Sequence, residues 1–289
     1  MTIREAIKNK RLFFDGGMGT ELYKRNVQGD TSLANITSPK AVEEIHREYI
    51  QAGADIITAN TFGAYKFKHE NSLELIKAAL NLASEARNPL PGETQNRDIF
   101  IAMDLGPTGL MLEPYGDVSI EECREIFSGT VKAGAEHGAD FILIETMLDI
   151  NELEAAVEAA NETGLPIMAT MSFNENGRTV YGASLADMVK TLESLDVDAL
   201  GLNCGFGPRA YTGLVRELLA TTKLPVILQP NAGLPEMIDG KPHYDLNPEE
   251  FAVLMYEMAD AGVRLLGGCC GTSPAHIASM VRACSNGGK

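Results

Sequence analysis

A chain of 289 residues, 45% hydrophobic and 22% charged, can bury a large core and has the composition of a globular protein. Its formal charge of −16 argues against a nucleic-acid surface, which needs clustered Lys and Arg. No apolar run approaches the roughly 18 residues of a membrane span, residues 1–11 lack the continuous apolar core of a secretory signal, and five cysteines in such a chain point to reduced thiols or metal ligands in the cytoplasm.

Eight short apolar runs recur, at residues 12–15, 55–60, 99–105, 141–145, 167–173, 199–204, 226–229 and 263–266. Strands buried on both faces read as continuous apolar runs, so these have the pattern of a parallel sheet. Between them the spacing is helical: residues 39–51 place Val42, Ile45, Tyr49 and Ile50 on one face, and residues 73–86 do so with Leu73, Ile76, Leu80 and Ala83. Further helices fit 120–136, 152–162, 185–195, 211–221, 248–261 and 275–283. Several hand over to the next strand through glycine, as in Ala52-Gly53-Ala54-Asp55, His137-Gly138-Ala139-Asp140 and Ala261-Gly262-Val263, because glycine readily takes the left-handed conformation past a helix end. Eight such units predict an α/β fold, a (β/α)8 TIM barrel forming one domain over residues 1–289. No Pro/Ser-rich linker divides the chain into two doubly wound halves. Residues 88–97 are the most loop-like stretch, and the tail Ser285-Asn286-Gly287-Gly288-Lys289 reads like the start of a flexible linker.

In a barrel the chemistry belongs at the C-terminal strand ends. These carry Asp15-Gly16-Gly17, Asn60-Thr61, Asp104, Glu145-Thr146, Asn203-Cys204, Gln229-Pro230-Asn231 and Cys269-Cys270. Neighbouring strand residues point to opposite faces, so two adjacent sulfurs reach one point only where the strand stops being regular, which Gly267, Gly268 and Gly271 permit. The pair alone also reads as two buried small hydrophobes. Cys204, ending the sixth run, adds a third thiolate on the same rim. Three thiolates about 2.3 Å from a tetrahedral Zn²⁺ leave one position open, as in a catalytic site. For a fourth ligand His243 and Asn231 are candidates, whereas Cys123 and Cys284 fall on outer helices and His276 on the first turn of the last helix.

An open thiolate-bound metal suits a substrate thiol, held deprotonated and nucleophilic. The turn Asp15-Gly16-Gly17-Met18-Gly19-Thr20 either presents amides to a carboxylate or only turns the chain. Asp15 and Glu145 suit an ammonium group or, alternatively, a cap and a buried ion pair. Taken together the strand ends describe an amino-acid thiol. The sequence Gly205-Phe206-Gly207-Pro208-Arg209-Ala210 fits G-x-G-x-x-A, but Pro208 removes an amide and the seventh run ends in Gln229 rather than an acidic ribose ligand.

Asp15-Gly16-Gly17-Met18-Gly19-Thr20-Glu21, Thr58-Ala59-Asn60-Thr61-Phe62-Gly63-Ala64, Asp104-Leu105-Gly106-Pro107-Thr108-Gly109, Glu145-Thr146, Gly201-Leu202-Asn203-Cys204, Pro230-Asn231-Ala232-Gly233 and Gly267 through Thr272 span nearly the whole chain. With them the chain resembles the homocysteine S-methyltransferase family, most closely the homocysteine-binding barrel of cobalamin-dependent methionine synthases. The resemblance implies a (β/α)8 barrel with Zn²⁺ on Cys204, Cys269 and Cys270. It implies that Asp15, Gly16, Gly17 and Glu145 hold the amino and carboxylate groups of homocysteine, with Asn60 among the substrate-binding residues and Asn231 a resting ligand. It also implies methyl transfer giving methionine, with methylcobalamin supplied by another domain or protein, since no Asp-x-His-x-x-Gly corrinoid signature occurs. S-methylmethionine-using relatives are single-domain enzymes of similar size, which keeps that donor as an alternative, beside a non-catalytic zinc subunit of a corrinoid complex. Betaine is disfavoured by Gly63, where betaine-using relatives carry tyrosine, and by the absence of Trp.

Overall fold

The computed structural model describes residues 1–89, 97–238 and 241–286. Seven of the residues read as most loop-like, 90–96, lie outside this set, as do tail residues 287–289. Eight parallel strands run β1 (Leu12–Phe13), β2 (Ile56–Thr58), β3 (Phe100–Leu105), β4 (Phe141–Met147), β5 (Ile167–Met171), β6 (Ala199–Cys204), β7 (Val226–Pro230) and β10 (Leu265–Leu266), and an antiparallel hairpin, β8 (Pro235–Ile238) with β9 (Lys241–Tyr244), follows β7. The order β1-β10-β7-β6-β5-β4-β3-β2 closes through the Phe14–Ile56 bridge and the bonds from Asp15 N to Ile56 O (3.0 Å) and from Asp55 N to Phe13 O (2.7 Å). The chain is a TIM barrel.

Between the strands lie α4 (Pro39–Ala52), α5 (Ser72–Arg87), α6 (Ile120–Glu136), α7 (Ile150–Asn161), α8 (Leu185–Ser194), α9 (Pro208–Thr221) and α10 (Pro248–Ala261), with α11 (Pro274–Asn286) after β10. Their ends follow the local chemistry of the sequence. Ser119 with Glu122, Ser184 with Asp187 and Asn247 with Glu250 form capping boxes. Gly53, Gly138 and Gly262 take φ of 111°, 93° and 123° at the expected handovers. Pro208 is the first residue of α9, so the G-x-G-x-x-A stretch is a helix start.

Two apolar layers result from strand alternation. Outward-facing residues pack under the helices, whereas Leu12, Phe14, Ile56, Phe100, Phe141, Leu143, Met168, Ile227 and Leu265 fill the lumen. The lumen's N-terminal mouth is closed by a short helix, α1 (Ile3–Asn9), whose Ile3, Ala6 and Ile7 join the same cluster. Towards the C-terminal mouth the inward positions turn polar, with Thr58, Asp104, Glu145, Thr170, Asn203 and Gln229. This switch builds a polar floor on an apolar plug.

Three expectations are corrected, and two helices are added. The run 12–15 is a strand only to Phe13 with a bridge at Phe14, because Asp15 turns its carboxylate across to Thr58. β4 continues past Glu145 to Met147 through a register shift between Ile144 and Met147. Ser285 and Asn286 belong to α11 and not to a linker. The 1–11 segment and the glycine-rich turn each contribute a helix, α1 and α2 (Met18–Lys24); α3 (Ala34–Thr37) completes the set.

Phe141 and Phe14 meet edge to face, with ring centroids 6.3 Å apart, in the middle of the lumen. Phe141→Ala is therefore expected to cost about 3–5 kcal/mol in chemical denaturation, as for a buried aromatic whose cavity cannot collapse, whereas exposed Lys8→Ala should change stability by less than about 0.5 kcal/mol.

Candidate metal centre and amino-acid pocket

Three sulfurs converge at the C-terminal mouth. In β6, Asn203 faces the lumen, so a regular strand would turn Cys204 away from it. Cys204 instead adopts a left-handed φ of 56°, which a non-glycine residue takes only when its surroundings enforce it. The enforcing group is Asn203, fully buried. Its Oδ1 accepts from Thr146 N and Thr170 Oγ1, both at 2.9 Å, and its Nδ2 donates to Thr146 Oγ1 at 2.7 Å. Thr146, also left-handed at φ 61°, sits in the β4 irregularity, so one carboxamide ties together the rims of β4, β5 and β6.

Opposite, the Cys269 amide donates to Pro230 O at 2.8 Å and the Cys270 amide to Asn231 Oδ1 at 3.0 Å. Gly271 follows at φ 81°, where any Cβ would lie 2.3 Å from the Tyr244 ring. The Cys204, Cys269 and Cys270 sulfurs all lie within 4.8 Å of one another, with 3.9 Å between the Cys269 and Cys270 Sγ atoms. Thiolate bonds of about 2.3 Å at tetrahedral angles place sulfurs about 3.8 Å apart, so the cluster fits a soft metal ion with little rearrangement. Without one, the thiols share a single charge. The Cys204 and Cys269 thiols donate to Cys270, and with help from the Tyr244 hydroxyl they pull it down to about 3. Cys269, which donates to Cys204 and Cys270 and is partly desolvated, lies well above the ordinary thiol value. Cys204 is drawn down by the Cys269 thiol, but its own bond to Cys270 and burial outweigh this and leave it at about 11.

The sulfurs line a pocket of about 230 Å³ that also contains Asp15, Asp104, Glu145, Thr58, Asn60 and Gln229. Asp15 accepts from Thr58 N at 2.7 Å and from Thr58 Oγ1 at 2.8 Å, yet burial pushes its carboxyl up to about 7. Burial, then the nearby Cys204 and Asp15, push Glu145 to about 8. Asp104 is raised well above the carboxylate range by burial, then by Glu145 and Asp15. The Oδ1 of Asp104 and the Oε1 of Gln229 have no hydrogen-bond partner. A pocket with two buried acids, Asp15 and Asp104, the half-buried Glu145 and no Lys, Arg or His among its described lining residues is shaped for a cation brought from outside.

The remaining expected site residues fall in different places. Asn60 lines the pocket, with its Nδ2 bonded to Thr31 O and Asn35 Oδ1 (2.6 and 2.9 Å), which fixes the segment carrying Thr31. Gly16 and Gly17 line it too, but the Gly17 amide already donates to Thr272 O at 3.1 Å. Asn231 accepts from the Cys270 amide and donates to Gly205 O at 3.2 Å, so it braces both sulfur loops. Cys123 and Cys284 are buried in the helix layer, His243 is exposed on β9, and none belongs to the sulfur group. Tyr244 is not among the residues the sequence points to, and Asp104 stands there only as a strand end without a role. The Asp239-Gly240 pair, a hairpin signal, was available as a pointer to Tyr244.

A profile described as homocysteine S-methyltransferase matches residues 12–284. The chain belongs to the homocysteine S-methyltransferase family. It is 31% identical to the methionine synthase of Mycobacterium tuberculosis over an alignment covering 98% of this chain and 25% of that protein, and 30% identical to that of Mycobacterium leprae. It thus spans about a quarter of the length of these relatives. The homocysteine methyltransferase MmuM of Escherichia coli superposes with a TM-score of 0.81 at 27% identity in its oxidized form, covering 97% of this chain and 98% of the other, and with 0.79 in its metallated form. A carboxyl transferase domain of Rhizobium etli pyruvate carboxylase, 15% identical with a TM-score of 0.60, shares the barrel alone.

Acids raised by folding bind more protons in the native than in the unfolded chain between about pH 4 and 8, so their contribution lowers stability as pH rises through that window. Relative to wild type, metal-free Glu145→Gln is expected to gain roughly 2–4 kcal/mol between pH 5 and pH 9, read from paired denaturation curves at the two pH values.

Proposed function

We propose that this chain transfers a methyl group to the thiol of homocysteine, giving methionine, at a zinc ion held by Cys204, Cys269 and Cys270. The observation carrying the proposal is that one pocket contains both the sulfur cluster and three acids, with no cationic side chain among its described lining residues. Zinc bound there supplies the Lewis acidity that keeps an incoming thiol deprotonated near neutral pH.

The residues of the chain do the rest. Asp15 and Glu145 take the substrate ammonium, and Gly16 with the following turn, which no side chain caps, takes the carboxylate through backbone amides. Asn203 and Asn231 hold the two sulfur loops at their spacing, and Asn60 fixes the segment carrying Thr31. The work of the protein is thus thiol activation and placement of the sulfur for attack. The hydrogen leaves the thiol as a proton, and the sulfur pair displaces the donor's leaving group.

For the donor we infer methylcobalamin carried on another domain or protein. This is supported by the match of nearly the whole chain to about a quarter of two methionine synthases. A second reading, a small sulfonium such as S-methylmethionine used without a corrinoid, is favoured by the end-to-end match to MmuM. All five cysteines are free, which fits the reducing cytoplasm we assign the protein. No helix among the described residues is long and apolar enough to cross a membrane.

Methionine formation measured side by side with methylcobalamin, S-methylmethionine and betaine tests the proposal. Turnover with the first alone supports the main reading, and turnover with the second alone supports the alternative. Homocysteine binding without transfer from any donor marks a non-catalytic zinc subunit. Each of Cys204→Ala, Cys269→Ala and Cys270→Ala is expected to retain less than about a tenth of the bound zinc and to lose methyl transfer. Zinc loading of the chelated protein should release about two protons, from Cys204 and Cys269.

A further inference from the structure

One carboxylate balances the charge of an ammonium, yet the pocket holds three. Asp104 is 5% exposed, lines the pocket, and leaves Oδ1 without a hydrogen-bond partner, whereas both oxygens of Asp15 are bonded to Thr58. It is close enough to both Asp15 and Glu145 for their charges to act on it. Gln229 Oε1, in the same lining, is a second unpaired acceptor. Buried acceptors left unpaired are costly, and a site built around them rejects ligands lacking the matching donors more strongly than an apolar pocket does. The pocket therefore calls for N–H groups as well as positive charge. A sulfonium or a quaternary ammonium group has the charge and no N–H.

We propose that Asp104 is the third arm of an ammonium cradle, with Asp15 and Glu145, and that it selects a primary amine: each of the three N–H bonds of –NH3⁺ finds a carboxylate. The inference rests on reading the pocket as a homocysteine site and adds to it a residue and a rule of substrate choice. Thiols whose amine is methylated lose one arm for each N–H replaced. A thiol without the amine leaves all three acids unmatched.

The test is binding of homocysteine, N-methylhomocysteine and 4-mercaptobutanoate to the zinc-loaded full chain by calorimetry, with wild type, Asp104→Asn and Asp104→Ser. Wild type is expected to bind N-methylhomocysteine at least about 10-fold more weakly than homocysteine and 4-mercaptobutanoate more weakly still. Asp104→Asn should weaken homocysteine by about 10–100-fold, leave 4-mercaptobutanoate within about threefold of wild type, and keep the zinc content unchanged. Equal weakening of all three thiols, or discrimination intact in both variants, would overturn the role of Asp104 while homocysteine binding by wild type stands. Indifference of wild type to N-methylation would overturn it whether or not either variant folds. Failure of zinc-loaded wild type to bind homocysteine would remove the homocysteine reading and this inference with it.

Discussion

The constraint on which the rest of this structure depends is that three sulfurs from two non-adjacent strands must meet at one point. A regular β-strand cannot deliver Cys204 to the lumen beside an inward-facing Asn203, nor aim Cys269 and Cys270 the same way. The chain meets the constraint by breaking regularity where the strands end. Left-handed backbone at Cys204 and Gly271 re-aims the loops, and two asparagines hold them. Asn203 works through Thr146 and Thr170, and Asn231 through the Cys270 amide and Gly205 O. These are buried amides with side-chain donors and acceptors committed to the rim, so the sulfur spacing is set by the protein alone.

The same mouth concentrates negative charge on a chain already at −16. Asp15, Asp104 and Glu145 are all shifted upward by burial, and the empty pocket is less stable than it would be with neutral residues. Such a cost is typical of sites shaped for a ligand. An ammonium among the carboxylates would offset it.

Much of this was legible in the sequence because it lies in composition and local pattern. Continuous apolar runs gave parallel strands, Gly53, Gly138 and Gly262 marked helix ends, and the strand-end rule of barrels gathered Cys204 with Cys269 and Cys270. What was not legible depends on three-dimensional partners. Nothing local says that Ile3, Ala6 and Ile7 plug the lumen, that Tyr244 reaches Cys270 from a hairpin, or that Asn231 braces loops through both ends of its amide. The β4 irregularity at Glu145 and Thr146 reads as ordinary strand in sequence, because its cause is Asn203 two strands away. Asp104 looks like any strand-end acid until its missing partner is seen.

X-ray absorption at the zinc edge, recorded before and after addition of homocysteine, tests the central claim most directly. The account predicts three sulfur neighbours at about 2.3 Å with a lighter fourth atom in the free protein, and four sulfurs once the substrate is bound. An unchanged first shell on adding homocysteine, or a fourth protein sulfur or histidine nitrogen that the substrate does not displace, would contradict it.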